Sequence, residues 1–136
     1  MRRLLLLFIL GITTLCADSG EKIYQAKCVM CHTDTMPAKI SQMKAPPMPQ
    51  VVMHLKSTMQ TKKEFVTFVN EYIQNPIKTK GLCREGAFQR FGIMPPIGAD
   101  MTNKERESVA LWLYEHYKYV QHKRTMKCGT VMIPTH

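Results

Sequence analysis

The chain has 136 residues, with 19 lysines and arginines against 10 aspartates and glutamates and a formal net charge of +9. That length suits one domain with one core, and nothing after Leu15 is apolar for long enough to span a bilayer. A basic surface suits nucleic acid, anionic lipid or an acidic protein, but the basic residues here carry no nucleic-acid motif.

Met1-Arg2-Arg3, the apolar run from Leu4 to Leu15 and the stretch Cys16-Ala17-Asp18-Ser19-Gly20 have the three parts of a secretory signal peptide. The apolar run falls short of the roughly 20 residues that a transmembrane helix needs. A retained anchor is the alternative, while the bulky Leu15 before Cys16 speaks against lipidation. Cleavage after Ala17 divides the chain into a signal peptide at 1–17, a main domain at 18–120 and a C-terminal tail at 121–136. It removes Arg2 and Arg3 and no acid, leaving about +7 on a soluble, exported, periplasmic protein. Export points away from nucleic acid and toward an acidic protein partner.

Three helix starts carry a capping residue with glutamate three positions on. The first, Asp18 with Glu21, opens a helix that is expected to run through the cysteine pair to about His32. The connection Ala45-Pro46-Pro47-Met48-Pro49 reads as a stiff, extended piece, because proline fixes the backbone and removes an amide donor. The second start, Thr61 with Glu64, leads a helix with Phe65, Phe68, Val69, Tyr72 and Ile73 on one face, ended by Asn75-Pro76. A short helix from about Arg84 to Phe91 is closed by Gly92, and Met94-Pro95-Pro96 forms a second stiff connection. The third start, Thr102 with Glu105, leads a helix with Val109, Trp112, Leu113, Tyr117 and Val120 on one face. No alternating strand pattern of useful length occurs, so the class is all-α: a compact bundle of short helices and proline-rich loops. So thin a core favours a large apolar cofactor within it.

Cys28-Val29-Met30-Cys31-His32 reads C-x-x-C-H, the attachment motif of a c-type haem. Two thiols about one helical turn apart reach the two vinyl groups on one side of a porphyrin, and His32 then lies beneath the iron. A zinc site would need a second ligand pair, and no second C-x-x-C exists. A thioredoxin-like dithiol would need βαβ patterning, which is absent.

From about residue 19 to 118 the sequence resembles the class I c-type cytochromes, the mitochondrial and bacterial cytochrome c family. Gly20 and Tyr24 precede Cys28 at the spacing of that family's first helix, and Trp112 is similar to the aromatic of the last helix against which they pack. Ala45-Pro46-Pro47 resembles the proline loop whose carbonyl receives the proximal histidine's N–H, with the choice open between Pro46 and Pro47. Phe91-Gly92-Ile93-Met94-Pro95-Pro96 resembles the distal methionine loop before the last helix. Ala45 departs from the glycine often found at its position.

The sixth iron ligand is expected to be Met94 among eleven methionines, most of which serve packing. Met94 follows a glycine-ended helix and is locked by two prolines, so its thioether is held at low entropic cost. It lies far enough beyond His32 for the chain to cross to the opposite haem face, and the capped last helix follows as in the family. Met48 sits in the loop that resembles the proximal one, on the wrong face, and is read as wall packing. His54, His116, His122 and His136 are the competitors for bis-histidine ligation, each more often an ordinary surface residue.

The expected function is transfer of single electrons between redox proteins through one covalent haem c, bound by Cys28, Cys31, His32 and Met94. The metal ligands are His32 and Met94. A fixed cytochrome subunit of an oxidase or reductase is the alternative. A haem enzyme or gas sensor would need an open position at the iron that Met94 blocks. Lys22, Lys27, Lys39, Lys44, Arg84 and Arg90 flank the segments expected to wrap the haem. Cys83 and Cys128 have no haem duty, and the sequence leaves two readings open, a disulfide that ties the tail to the segment before the methionine loop or two separate thiols. His122, Met126, Cys128, Met132 and His136 match no metal motif, and the tail is read as loosely docked.

Overall fold

The computed structural model describes residues 19–36, 39–83 and 85–117. The expected signal peptide, the tail with Cys128, and both domain boundaries lie outside those residues. The described residues form five α-helices and no strand: α1 (Gly20–Lys27), α2 (Met48–Thr58), α3 (Lys62–Gln74), α4 (Glu85–Phe91) and α5 (Asn103–His116). Single 3-10 turns occupy Ile40–Gln42 and Lys78–Lys80. None of these helices is long and apolar enough to cross a membrane.

The two expected boxes at Thr61/Glu64 and Thr102/Glu105 both form, each threonine accepting from the glutamate's N–H while the carboxylate accepts from the cap's own N–H. Gly92 closes α4 with φ +73°, and its N–H donates to the Phe88 carbonyl at 2.8 Å.

Two expectations need correction. The cap of α1 is Ser19, which accepts from the Lys22 amide, and the helix ends at Lys27 instead of running to His32. The Tyr24 carbonyl takes both the Cys28 and Val29 amides, after which Cys31 and His32 both donate to Cys28 and the chain turns. The second correction is α2 itself. Pro47 stays extended (φ −55°, ψ 141°) as its N-cap, and Pro49 falls in the first turn, where a missing N–H costs no helical bond.

α5 is the spine. Against α1 it packs so closely that a Cβ on Gly20 would be driven into the Ser108 carbonyl oxygen and the Trp112 Cβ. Only glycine lets the two backbones approach this far. Against α3 it packs through Phe65 and Tyr114, whose rings meet edge to face at 5.3 Å. From α2, Lys56 Nζ donates to the Tyr114 and Tyr117 carbonyls at 2.5 and 2.7 Å, capping the end of α5. The core is made of Tyr24, Val52, Phe65 and Val109, with Ile23, Leu55, Val69, Ile73, Ala110 and Leu113 around them.

Candidate functional site

Phe68 and Tyr72 were expected on the buried face of α3, yet both are only partly buried. They stack on each other at 5.4 Å and line a cavity of about 1300 Å³, counting its open mouth. Val52, His54 and Leu55 of α2, Ile73 of α3, and Val109 and Leu113 of α5 continue its wall. Residues of α4 and of the connection that follows it, Phe88, Phe91, Gly92, Met94 and Ile97 among them, complete the lining. Cys28, Cys31, His32 and Met94, the four residues singled out from the sequence, all line this one cavity.

Cys28 and Cys31 are unpaired thiols, the first buried and the second exposed. Burial pushes the Cys28 thiol up to about 11, so it is held as S–H. The His32 Nδ1 lies 2.8 Å from the Pro46 carbonyl oxygen, which decides between the two prolines. A carbonyl only accepts, so Nδ1 carries the proton and the lone pair is left on Nε2. Burial lowers the basicity of the ring, and the bond to Pro46 works against that shift. The imidazole is therefore neutral at ordinary pH.

Met48 and Met94 reach the lining from separately anchored segments. Met48 follows Pro46 by two residues, and its N–H donates to the Thr33 carbonyl at 2.9 Å, so it belongs to the wall on the His32 side. Met94 lies in the connection between α4 and α5. That connection is fixed where it leaves: the Gly98 N–H donates to the Ile73 carbonyl at 2.8 Å, and a Cβ on Gly98 would press on the Ile73 backbone. Among the histidine competitors, His54 lines the cavity with Nε2 3.3 Å from the Leu82 carbonyl. His116 is exposed and stacks on Trp112 at 4.3 Å, away from the cavity lining. His122 and His136 lie outside the described residues.

Sequence reasoning missed the polar support. The Tyr24 hydroxyl lies 2.8 Å from both the His32 carbonyl and Asp34 Oδ1 and shares its one proton between them, and the Tyr117 hydroxyl donates to the same Asp34 oxygen. Burial and these bonds push the Tyr24 phenol far above its ordinary range and Tyr117 up to about 12. The spacing of Tyr24 signalled packing on α5, but nothing signalled its hydroxyl. Arg106, the one buried charged side chain among the described residues, was also missed. Of the basic residues expected near the site, Lys44 lines the cavity. Lys27 is paired with Asp100 at 3.1 Å, and Arg84 lies outside the described residues. Cys83 lines the cavity and is disulfide-bonded.

The family model described as "Cytochrome C oxidase, cbb3-type, subunit III" matches residues 16–113. An uncharacterized protein of Aquifex aeolicus (strain VF5) is similar at 37% identity over 136 residues, covering 87% of this chain and 90% of the relative. No solved structure matches.

Proposed function

This chain belongs to the cytochrome family described as cytochrome c oxidase, cbb3-type, subunit III, and we propose that it works as an exported, periplasmic carrier of single electrons. Membership brings with it covalent haem c, electron transfer and redox protein partners. The haem supplies a one-electron ferric/ferrous couple. The residues present fit it: an apolar slot with two unpaired thiols, a neutral imidazole and a thioether on its walls.

Cys28 and Cys31 would hold the haem, each through a thioether bond to one of its two vinyl groups. His32 would ligate through Nε2, while its Nδ1–H bond to Pro46 fixes the ring and raises its basicity as a ligand. Met94 would supply the second protein ligand, a soft donor that favours the ferrous state and raises the potential. The apolar wall acts in the same direction by disfavouring the extra ferric charge. With Met94 as a ligand no open position would remain for a substrate, so the reading is a carrier without enzymatic activity. Its partners are redox proteins with acidic surfaces, and residues 1–17 are removed on export, leaving the 18–120 domain and the tail.

The observation that carries this reading is that Cys28, Cys31, His32 and Met94 share one cavity. Mass spectrometry of the denatured, matured protein tests it, with one haem retained and the N-terminus near Asp18 as the expected result. Cys28→Ala leaves at most one thioether link. Haem lost to acid-acetone from the wild type contradicts the attachment. The family's description favours a second reading, a cytochrome subunit docked on an oxidase. Purification as a monomer in the absence of detergent supports the free carrier, and recovery only with a membrane complex supports the subunit.

A further inference from the structure

Arg106 is 7% exposed, and its hydrogen bonds run to three neutral oxygens. Nε donates to Asn70 Oδ1 at 2.8 Å, and Nη1 donates to the Gly98 carbonyl at 3.2 Å and to the Met101 carbonyl. Burying a guanidinium without a carboxylate beside it is costly, and such a group is kept in place only by hydrogen bonds to its donors. Two of the three acceptors belong to the backbone just past Met94. The third, Asn70, sits on α3 and is itself held by Asn103 at the start of α5, at 2.9 Å.

These bonds close a ring around the exit of the methionine loop. Gly98 is bound on one side to Ile73 of α3 through its N–H and on the other to Arg106 of α5 through its carbonyl. The loop's entry is set by Gly92, at φ +73°. Between these two fixed points run Ile93, Met94, Pro95, Pro96 and Ile97, and the prolines leave little freedom to take up a displacement at either end. Arg106 is not among the residues lining the cavity, so its hold on the distal side is through the loop and not by contact.

We propose that Arg106 is a positioning residue for the distal ligand: its hold on the Gly98 and Met101 carbonyls sets the fraction of time that Met94 occupies its place at the iron. The inference rests on the reading of Met94 as that ligand. Loss of the guanidinium frees the loop exit, and the sixth position then opens to outside ligands in proportion to the open fraction.

The test uses the full matured ferric protein with imidazole as the probe. In Arg106→Met the apparent imidazole affinity rises about tenfold or more, and the weak far-red sulfur-to-iron band declines. Asn70→Ala, which removes one acceptor, moves both readouts the same way by less, and it carries the test alone if Arg106→Met yields no folded protein. Arg106→Lys recovers only part of the wild-type behaviour, since an ammonium does not reproduce the planar fork. Gly20→Ala separates positioning from general destabilisation: it loosens α1 against α5 at Ser108 and Trp112, touching none of the three acceptors of Arg106, and so lowers urea resistance without a matching rise in imidazole affinity. Wild-type imidazole affinity and far-red band in Arg106→Met and Asn70→Ala would overturn the proposal. So would imidazole affinity that simply tracks urea resistance across Gly20→Ala and the Arg106 variants. Absence of the band from the wild type, with imidazole binding unchanged in Met94→Ala, brings down the ligand reading itself and this proposal with it.

Discussion

Trp112 stacks on Tyr24 with ring centroids 5.0 Å apart and planes 29° from parallel, directly beside the point where Gly20 lets α1 touch α5. This contact holds the helix that leads into Cys28 against the spine of the fold. Gly20→Ala forces the helices apart and costs about 1–3 kcal/mol, as overpacking does elsewhere. Tyr24→Phe keeps the ring but loses the bonds to His32 and Asp34, at a cost of about 1–2 kcal/mol. Urea unfolding of the haem-bearing protein reads both. Wild-type midpoints in the two variants would mean that this junction does not hold the attachment turn.

Alkaline pH acts on the same junction through Tyr117, whose phenol is raised from an ordinary value near 10 to about 12 by burial and by its bond to Asp34. The proton is held more tightly in the folded state, so this contribution to stability is complete below about pH 10. Above that the unfolded chain ionises first, and the contribution is lost as pH rises toward about 12. Urea midpoints between pH 9 and 12 should fall, and Tyr117→Phe should flatten part of the decline. An unchanged slope in Tyr117→Phe assigns the loss to other groups.

Parts of this architecture were legible in the sequence because their signals are local. Thr61/Glu64 and Thr102/Glu105 specify α3 and α5 within four residues each, and the C-x-x-C-H run specifies its own turn. The first helix stops earlier than its cap suggested because the Tyr24 carbonyl takes two amides at once, which no periodicity encodes. α2 was hidden by its prolines: Pro47 and Pro49 read as breakers, although both sit where a helix start tolerates them. The apolar run Val51-Val52-Met53 with Leu55 behind them was the available signal. Arg106 was not legible at all, since its acceptors are two backbone carbonyls and an asparagine 36 residues away.

Partner choice by charge gives a third prediction. The chain carries a formal net charge of +9, and Lys44 lines the cavity with Cys28, Cys31 and His32. Electron-transfer complexes are small and brief, and charge sets their rate of encounter more than their strength. The Debye length shrinks from about 10 Å at 0.1 M salt to about 3 Å at 1 M. The bimolecular rate with an acidic redox partner should therefore fall steeply over that range, while the rate with a small neutral reductant barely moves. A rate with the physiological partner that stays flat or rises with salt assigns the basic surface another purpose.

The electronic spectrum and potential of the ferric and ferrous protein test the central claim most directly, compared across wild type, Met94→Ala and Met48→Ala. The two methionines line one cavity, Met48 in the segment bonded to Thr33 beside His32 and Met94 on the loop bonded to Ile73 through Gly98. With His32 and Met94 as axial ligands, the wild type has the weak far-red band of sulfur bound to ferric iron. Met94→Ala loses that band, binds small exogenous ligands and falls in potential, while Met48→Ala keeps the band. Loss of the band in Met48→Ala and its survival in Met94→Ala would reverse the two faces of the site and contradict the account.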